Sequence, residues 1–229
     1  RSRTGRRSSW RTHNSGRTNW PSDRAGRWLP CDATQLGHPI IKTIEPLVAC
    51  ATSDPKTEDR AVTTDRHYVT TLDSQFGELM LVATDLGLRA LAWPGESAGR
   101  LALPEEMTAC PDHPVLVTAR LQLQEYLDGR RTEFDIPLDL RGTEFQKAAW
   151  LALNSIPYGE TTTYGRQAAR IGRPNAVRAI GAANGRNPIS IILPCHRVIG
   201  VGGALTGYGG GIDTKRQLLA FELEVSQSK

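Results

Sequence analysis

Residues 163–184 read TYGRQAARIGRPNAVRAIGAAN, and this stretch decides the fold of the second half of the chain. Its pattern predicts two short helices, at residues 163–171 and 174–184, separated by a turn that contains Gly172. Pro174 would take the first helical position of the second helix, where proline is favoured. Two helices joined by a tight glycine-containing turn form the helix-turn-helix arrangement.

The charge of this region favours contact with DNA. Between residues 161 and 186 the charged side chains are all arginines: Arg166, Arg170, Arg173, Arg178 and Arg186. A basic segment without acids on a helix pair is the electrostatic footprint of nucleic-acid binding. A packed helix pair with solvated arginines is the alternative, and the depletion of acids disfavours it.

A candidate nucleophile follows this region. Residues 189–193 (ISIIL) are apolar and predict a buried strand, and Pro194-Cys195-His196-Arg197 comes directly after them. His196 and Arg197 are too polar for a core strand, so the chain must turn towards a cleft at Cys195. A thiol with an ordinary pKa of about 8.5 is mostly protonated at neutral pH, and an adjacent histidine can accept its proton. A buried structural cysteine is the alternative.

Two later features could complete this site. Glu222, in a predicted last helix, can orient His196 in a triad-like arrangement. The equal alternative is that Glu222 is a solvated residue on the surface of that helix. Residues 207–211 (GYGGG) can form a loop or wing that approaches a ligand closely, because glycine has no obstructing side chain. Asp213 is the expected N-cap of the last helix.

The first half of the chain predicts a sheet covered by a helix. Three strand-like runs indicate a small antiparallel sheet: residues 68–72, 79–83 and 88–93. Residues 114–127 predict an amphipathic helix that packs on this sheet through Val117, Leu121 and Leu127.

The chain therefore divides into three parts, with an α+β fold. Residues 1–65 are rich in Arg, Ser, Thr, Asn, Gly and Pro, which predicts a disordered or weakly ordered extension. Residues 66–141 form the α+β lobe. Residues 142–225 form a mostly helical lobe, which opens with a Thr-x-x-Gln capping box at Thr143.

The net charge of +4 belongs to the extension. Residues 1–30 carry eight arginines and one acid, whereas residues 67–229 carry 16 basic and 17 acidic side chains. A basic arm that tracks DNA phosphates is one function open to the extension. Zinc held by Cys31, His38 and Cys50 is another, but their spacing matches no strong metal pattern, so no metal is predicted.

Other classes of protein are disfavoured by what the sequence lacks. No run approaches the roughly 18 apolar residues of a membrane-spanning helix. The basic amino terminus is not followed by an apolar segment, so we expect no signal peptide and a cytoplasmic location. A phosphate loop and a dinucleotide fingerprint are both missing, so no cofactor is expected.

Five sequence blocks occur together with Tyr164: IPYGET at residues 156–161, AVRAIG at 176–181, Asn187-Pro188, PCHRVI at 194–199 and GYGGG at 207–211. They resemble the O6-alkylguanine-DNA alkyltransferases, also called methylated-DNA–protein-cysteine methyltransferases. The resemblance is close from about residue 144 to residue 222 and looser over residues 67–141. It implies a ribonuclease H-like amino-terminal lobe, a winged helix-turn-helix lobe and DNA repair by direct damage reversal.

The resemblance also implies the chemistry. Cys195 would accept the alkyl group from O6 of a damaged guanine and keep it, in one transfer per molecule, with O4-alkylthymine open as a second substrate. His196 would take the thiol proton through a water, while Glu222 and Asn187 orient the histidine. The implied partner is double-stranded DNA bound by a monomer, with cooperative assembly on DNA left open.

Further positions match residues that the family uses on the base and on the duplex. Tyr164 and Lys215 match groups that assist guanine as the leaving group. Arg178 matches an arginine finger that fills the space of the flipped nucleotide, since a stacked base cannot reach a buried thiol. The implied base-binding residues are Tyr164, Val198, Tyr208 and Gly209. The implied DNA-binding residues are Tyr164, Arg166, Arg173, Asn175 and Arg178.

Two other function classes remain as alternatives. One is a non-catalytic helix-turn-helix protein that binds alkylated DNA, which the presence of Cys195 disfavours. The other is a cysteine hydrolase of the Cys-His type, in which the helix-turn-helix arginines would have no purpose.

Overall fold

A computed structural model of the chain describes residues 66–96 and 98–228. The expected extension over residues 1–65 lies outside this range, and so do the alternative zinc ligands Cys31, His38 and Cys50.

The first lobe is built on a four-stranded sheet. Its strands are β1 (Tyr68–Ser74), β2 (Gly77–Thr84), β3 (Gly87–Ala92) and β4 (Thr108–Ala109), in the order β3-β2-β1-β4. The three predicted strands are confirmed, and they pair antiparallel. The two-residue β4 runs parallel to β1, so the sheet as a whole is mixed. A strand of two residues has no period from which a sequence could predict it.

Two helices accompany this sheet, α1 (Ala98–Leu101) and α2 (Pro114–Leu127). The predicted bounds of α2 are confirmed, but the predicted buried face is wrong, because Val117 and Leu121 are 46% and 59% exposed. The residues that α2 buries are Leu116, Ala119, Gln122, Leu123 and Tyr126. Three of these residues are an alanine, a glutamine and a tyrosine, so the pattern of large aliphatic residues does not reveal this face.

The second lobe contains α3 (Glu144–Leu151), α4 (Tyr164–Arg170), α5 (Val177–Asn184) and α6 (Ile212–Gln227). The predicted capping box is confirmed, since Gln146 N–H donates to Thr143 Oγ1 and Thr143 N–H donates to Gln146 Oε1. The two helices of the helix-turn-helix are α4 and α5, and α5 packs against both α3 and α4.

Pro174 does not begin a helix, so that prediction is wrong. It is the second residue of a four-residue turn that Ala176 N–H closes on Arg173 C=O at 2.9 Å. Proline suits this position of a turn as well as it suits a first helical position, because both need a φ near its fixed value. The helix starts three residues later, at Val177.

Residues 189–193 were predicted as a strand, and this is also wrong. Ile189 forms a single bridge with Leu91 of β3, after which the chain folds into a buried turn. Leu193 N–H bonds to Ile189 C=O at 2.9 Å, and Ile191 has a φ of 72°. A β-branched residue in the left-handed region costs about 1–3 kcal/mol and persists only where its surroundings enforce it. An apolar run reports burial, which a strand and a buried turn share.

The segment after this turn carries the thiol into the core. A 3-10 turn, Cys195–Arg197, leads into β6 (Val198–Ile199), which pairs parallel with β5 (Thr162–Thr163). A glycine-rich loop then reaches α6, whose N-cap is Gly211 with a φ of 90°. Asp213 lies in the first turn of α6, so its prediction as the N-cap is wrong.

One hydrophobic core joins the two lobes. Leu91 N–H donates to Pro188 C=O at 2.8 Å, which fixes the edge of the first lobe to the segment before the thiol. The shared core includes Leu79, Leu91, Leu123, Leu153, Ile191, Cys195 and Leu218. Each fully buried leucine contributes about 2 kcal/mol of apolar burial. The cysteine segment is therefore held from both sides.

Candidate active site

Cys195 is a buried free thiol at the start of the 3-10 turn. Asn187 Nδ2 donates to Cys195 Sγ at 3.1 Å and to Leu193 C=O at 2.7 Å. Asn187 Oδ1 accepts from Ile189 N–H at 3.1 Å, so this one amide fixes the whole turn. Asn187 thus contacts the thiol itself, and its expected role in orienting His196 stays a prediction.

The surroundings of Cys195 keep it protonated. Burial raises the pKa of the Cys195 thiol, while the Asn187 hydrogen bond and the charge of Lys215 act in the opposite direction. Because the net effect is upward, the thiolate is scarce at neutral pH. The thiol needs a base before it can react.

His196 is the candidate base next to Cys195 in the sequence, and it forms a buried pair with Glu222. His196 Nε2 is 2.8 Å from Glu222 Oε1, and both side chains are 0% exposed. Burial lowers the pKa of His196, and the Glu222 carboxylate opposes this shift. The imidazole is therefore neutral at rest, with the proton on Nε2 facing the carboxylate. His196 Nδ1 makes no hydrogen bond within the described residues and is left as the acceptor.

Glu222 is the centre of a larger network. Arg197 Nε donates to Oε2 at 2.8 Å and Arg197 Nη2 donates to Oε1 at 2.9 Å. Tyr126 OH donates to Oε1 at 2.7 Å, and Gly159 N–H donates to Oε2 at 3.2 Å. Burial alone would raise the pKa of Glu222, but His196 and Arg197 hold it at about 2. Glu222 therefore carries its negative charge throughout the neutral range.

Two members of this network were missed at the sequence level. Arg197 was read only as a polar residue that ends the apolar run, although its position next to His196 could have suggested a second partner for Glu222. Tyr126 gave no signal, because it lies 96 residues from Glu222 on another lobe.

A cavity of about 580 Å³ lies between α5 and the glycine-rich loop. Its volume is in the range of small-ligand sites. Of the residues expected to bind the base or the DNA, those that line it are Tyr164, Arg178, Tyr208 and Gly209. The pKa values of Tyr164 and Tyr208 are raised first by burial, and a charge on Cys195 raises them further. Both phenols therefore lie near the thiol as well as the cavity.

Glycine is required where the loop passes close to the first lobe. A Cβ on Gly209 would lie 2.7 Å from Glu96 Oε1, and a Cβ on Gly210 would lie 2.6 Å from the Trp93 ring. Real Cβ atoms do not approach so closely, so a side chain at either position would require the loop, the Glu96 carboxylate or the Trp93 ring to shift.

Lys215 and Val198 are not among the residues that line the cavity. Both are fully buried, and Lys215 Nζ donates to Val198 C=O at 2.6 Å. Lys215 Nζ is also 5.9 Å from the centre of the Tyr164 ring. Burial lowers the pKa of Lys215. The Lys215 amine therefore lies over the ring of Tyr164, and Val198 contacts this amine through its carbonyl.

Two further residues at the cavity were missed. Thr206 Oγ1 is 2.7 Å from Tyr164 OH. Arg100, from α1, donates through Nη1 to Gly185 C=O at 3.0 Å and to Asn187 C=O at 3.2 Å. Arg100 thereby ties the first lobe to the end of α5. No local pattern marked either residue, because each contact is made only by the folded chain.

The helix-turn-helix presents a basic face. Its exposed polar residues include Arg166, Arg173, Asn175, Arg178 and Arg186. Arg170 is engaged elsewhere, because its Nη1 donates to Ser155 C=O at 3.2 Å. Within residues 66–96 and 98–228, no cluster of His, Cys, Asp or Glu could hold a metal, and no helix could span a membrane.

A buried thiol with a histidine and carboxylate beside it, next to a basic helix-turn-helix, defines a DNA-binding protein with a nucleophile of its own. Two family models match: the ribonuclease-like domain of 6-O-methylguanine DNA methyltransferase over residues 67–140, and its DNA binding domain over residues 144–224.

Individual relatives agree with these models. The chain is 50% identical over 153 residues to a methylated-DNA–protein-cysteine methyltransferase of Mycolicibacterium paratuberculosis, covering 66% of this chain and 90% of the relative. A constitutive enzyme of the same name from Bacillus subtilis is 41% identical over 161 residues, covering 70% and 96%. The chain belongs to the methylated-DNA–protein-cysteine methyltransferase family.

A solved structure gives the same result for the fold. Mycobacterium tuberculosis OGT in complex with DNA matches with a TM-score of 0.63 and 47% identity, covering 69% of this chain and 94% of that one.

Proposed function

We propose that this protein repairs DNA by direct damage reversal, moving the methyl group from O6 of a methylated guanine to Cys195. Its relatives are named for this transfer, and a similar protein has been solved in complex with DNA. The observation that carries the assignment to Cys195 is the buried thiol beside the His196–Glu222 pair. The cavity next to it is lined by residues of α5, the helix that we expect to contact DNA.

The proton moves first. His196 Nδ1 receives the proton of the Cys195 thiol through a bridging water, and the imidazolium that forms is stabilised by Glu222. The pair starts as neutral thiol and neutral imidazole, so charge separates only when substrate is in place. Glu222 is suited to this task because it keeps its own negative charge at neutral pH.

The methyl group is then displaced in line. Cys195 Sγ forms a bond to the methyl carbon while the bond from that carbon to O6 breaks, and the electron pair leaves with guanine. Tyr164 supplies a proton to the departing base, with Lys215 stabilising the phenolate, and the imidazolium proton returns to Tyr164 through solvent. A thioether has no leaving group that water displaces, so each molecule acts once.

Base flipping is part of the proposal, because a base inside the stack cannot present O6 to a buried thiol. We propose that Arg178 fills the space of the flipped nucleotide, and its exposure on α5 and its position in the cavity lining support this role. Arg166, Arg173 and Asn175 would bind the flanking phosphates.

We also propose the division at residues 141 and 142 into a supporting lobe and a DNA-binding, alkyl-accepting lobe. The two family models support it, because they meet near this point. We propose a cytoplasmic location, since the relatives are from bacteria and archaea, in which DNA lies in the cytoplasm.

The test of the function is its stoichiometry. With O6-methylguanine duplex in excess over protein, methyl groups should disappear from DNA in a single burst whose amplitude equals the protein concentration. Continued loss of methyl groups after the burst would contradict a single transfer per molecule. Cys195→Ser should give no burst.

A further inference from the structure

Tyr126 brings the first lobe into contact with the reactive pair of the second. Its hydroxyl donates to Glu222 Oε1 at 2.7 Å, and the same oxygen is 2.8 Å from His196 Nε2. All three residues are 0% exposed. Burial raises the pKa of the Tyr126 phenol, and the charge of Glu222 raises it further. The hydroxyl therefore keeps its proton and stays a donor.

The ring of Tyr126 is held firmly enough to aim this donor. Its centroid lies 5.5 Å from that of Phe134 and 5.9 Å from those of Tyr158 and Phe221. These aromatic contacts come from three different parts of the chain, so the ring cannot turn without disturbing the core. A carboxylate that accepts from a fixed donor is itself fixed.

We propose that Tyr126 is a positioning residue for alkyl transfer: through Glu222 it holds the His196 imidazole in place and limits how strongly that imidazole binds a proton. This inference rests on the role of His196 as the base in the proposed function. Glu222 Oε1 is the oxygen that faces the imidazole, and the hydrogen bond from Tyr126 draws negative charge away from it. The first lobe thereby takes part in the reaction without touching the substrate.

Several other groups act on His196. Burial is the main cause that lowers its pKa, Glu222 opposes this, and Arg197 and Lys215 lower it further. The titratable and charged groups around the imidazole are Cys195, Arg197, Tyr208, Lys215 and Glu222, with Tyr126 and Tyr158 behind the carboxylate. Among these groups, Tyr126 can lose its bond to Oε1 without any change in formal charge.

The variant that tests the proposal is Tyr126→Phe, which removes the hydroxyl and keeps the ring. Tyr158→Phe is the matched control, because its ring packs edge-on against Tyr126 and its hydroxyl makes no hydrogen bond within the described residues. Two quantities are measured on the full chain. One is the NMR titration of the His196 ring nitrogens without DNA, and the other is the single-turnover rate of methyl transfer across pH.

Tyr126→Phe should raise the pKa of His196 by about half a unit, because Oε1 then stabilises the imidazolium more strongly. The acid limb of the rate profile should move by the same amount, which lowers the rate about threefold at a given pH on that limb. Tyr158→Phe should leave both curves where the wild type has them.

Coincident titration curves for wild type and Tyr126→Phe would overturn the proposal. An equal loss of rate at every pH would also overturn it, since that is the effect of a structural role alone. If the His196 titration moves while the rate profile does not, the Tyr126 contact stands and the base role of His196 is contradicted. The failure of this proposal is thus distinguishable from the failure of the proposed function.

Discussion

Cys195 cannot ionise readily by itself, because burial raises the pKa of its thiol. Asn187 and Lys215 oppose this shift, and the His196–Glu222 pair that we propose as the base lies on the turn and on the last helix. Each is fully buried, so their hydrogen bonds act in a medium where electrostatic interactions are strong. Reactivity here is a property of the arrangement and not of the cysteine alone.

Of these residues, the sequence could predict Cys195 and His196 as a pair and Glu222 as a partner of His196, and the 2.8 Å contact between His196 and Glu222 agrees with this. Cys195 and His196 are adjacent, and Glu222 is an acid in a helix nearby in sequence. Tyr126 could not be predicted, because its contact depends on how two lobes pack and leaves no local pattern.

The buried network at Glu222 makes the free energy of unfolding depend on pH. The pKa of Glu222 is about 2 in the folded chain, below its ordinary value of 4.5, so the unfolded chain takes up its proton first as pH falls. The stabilisation is complete above about pH 4.5 and is lost as pH falls from there towards about 2. Urea unfolding of the wild type at a series of pH values should show this loss.

Glu222→Gln should lack this dependence and should be less stable at neutral pH by about 3 kcal/mol or more, because Arg197 is left buried without its partner. Glu224→Gln is the control, since Glu224 is exposed on the same helix. If Glu222→Gln lost stability in acid just as the wild type does, the ion pair would not be the cause.

At the scale of the elements, the hydrophobic period predicted where helices lie. It predicted less well which face of a helix is buried and where the chain is irregular. The bounds of α2 were predicted to the residue, but its buried stripe was not. Residues 189–193 look like a strand because they are buried, and their turn depends on Asn187 and on β3. The backbone hydrogen bonds of this turn are made by a side chain and by the other lobe, so a local sequence pattern cannot predict them.

The helix α5 carries the proposed flipping residue. Arg178→Ala should slow transfer from duplex DNA by about tenfold or more, because flipping costs a few kcal/mol that the side chain helps to offset. Transfer from the free O6-alkylguanine base should change less than about twofold, since no duplex is opened. Single-turnover rates on the two substrates give the comparison.

Arg130→Ala is the matched control for this experiment, because it removes an exposed arginine of the first lobe that lies outside the cavity lining. It should affect neither substrate. Equal losses on duplex and free base for Arg178→Ala would contradict its role in flipping.

In the whole molecule, the two lobes share one core and meet at the reactive site. Arg100 and Tyr126 both reach from the first lobe, one to the end of α5 and the other to Glu222. The sequence predicted that two lobes exist. It could not predict that the first lobe contacts α5 and Glu222 of the second, because contacts over such sequence separations form only on folding.

The central claim is that Cys195 itself receives the alkyl group. The most direct measurement is intact-mass and peptide-mapping mass spectrometry after incubation with a duplex that contains O6-methylguanine. We predict that each molecule gains one methyl in place of one hydrogen, that the methyl maps to Cys195, and that Cys195→Ala prevents the gain. A methyl on any other residue, or unmodified protein in the presence of excess lesion, would contradict the account.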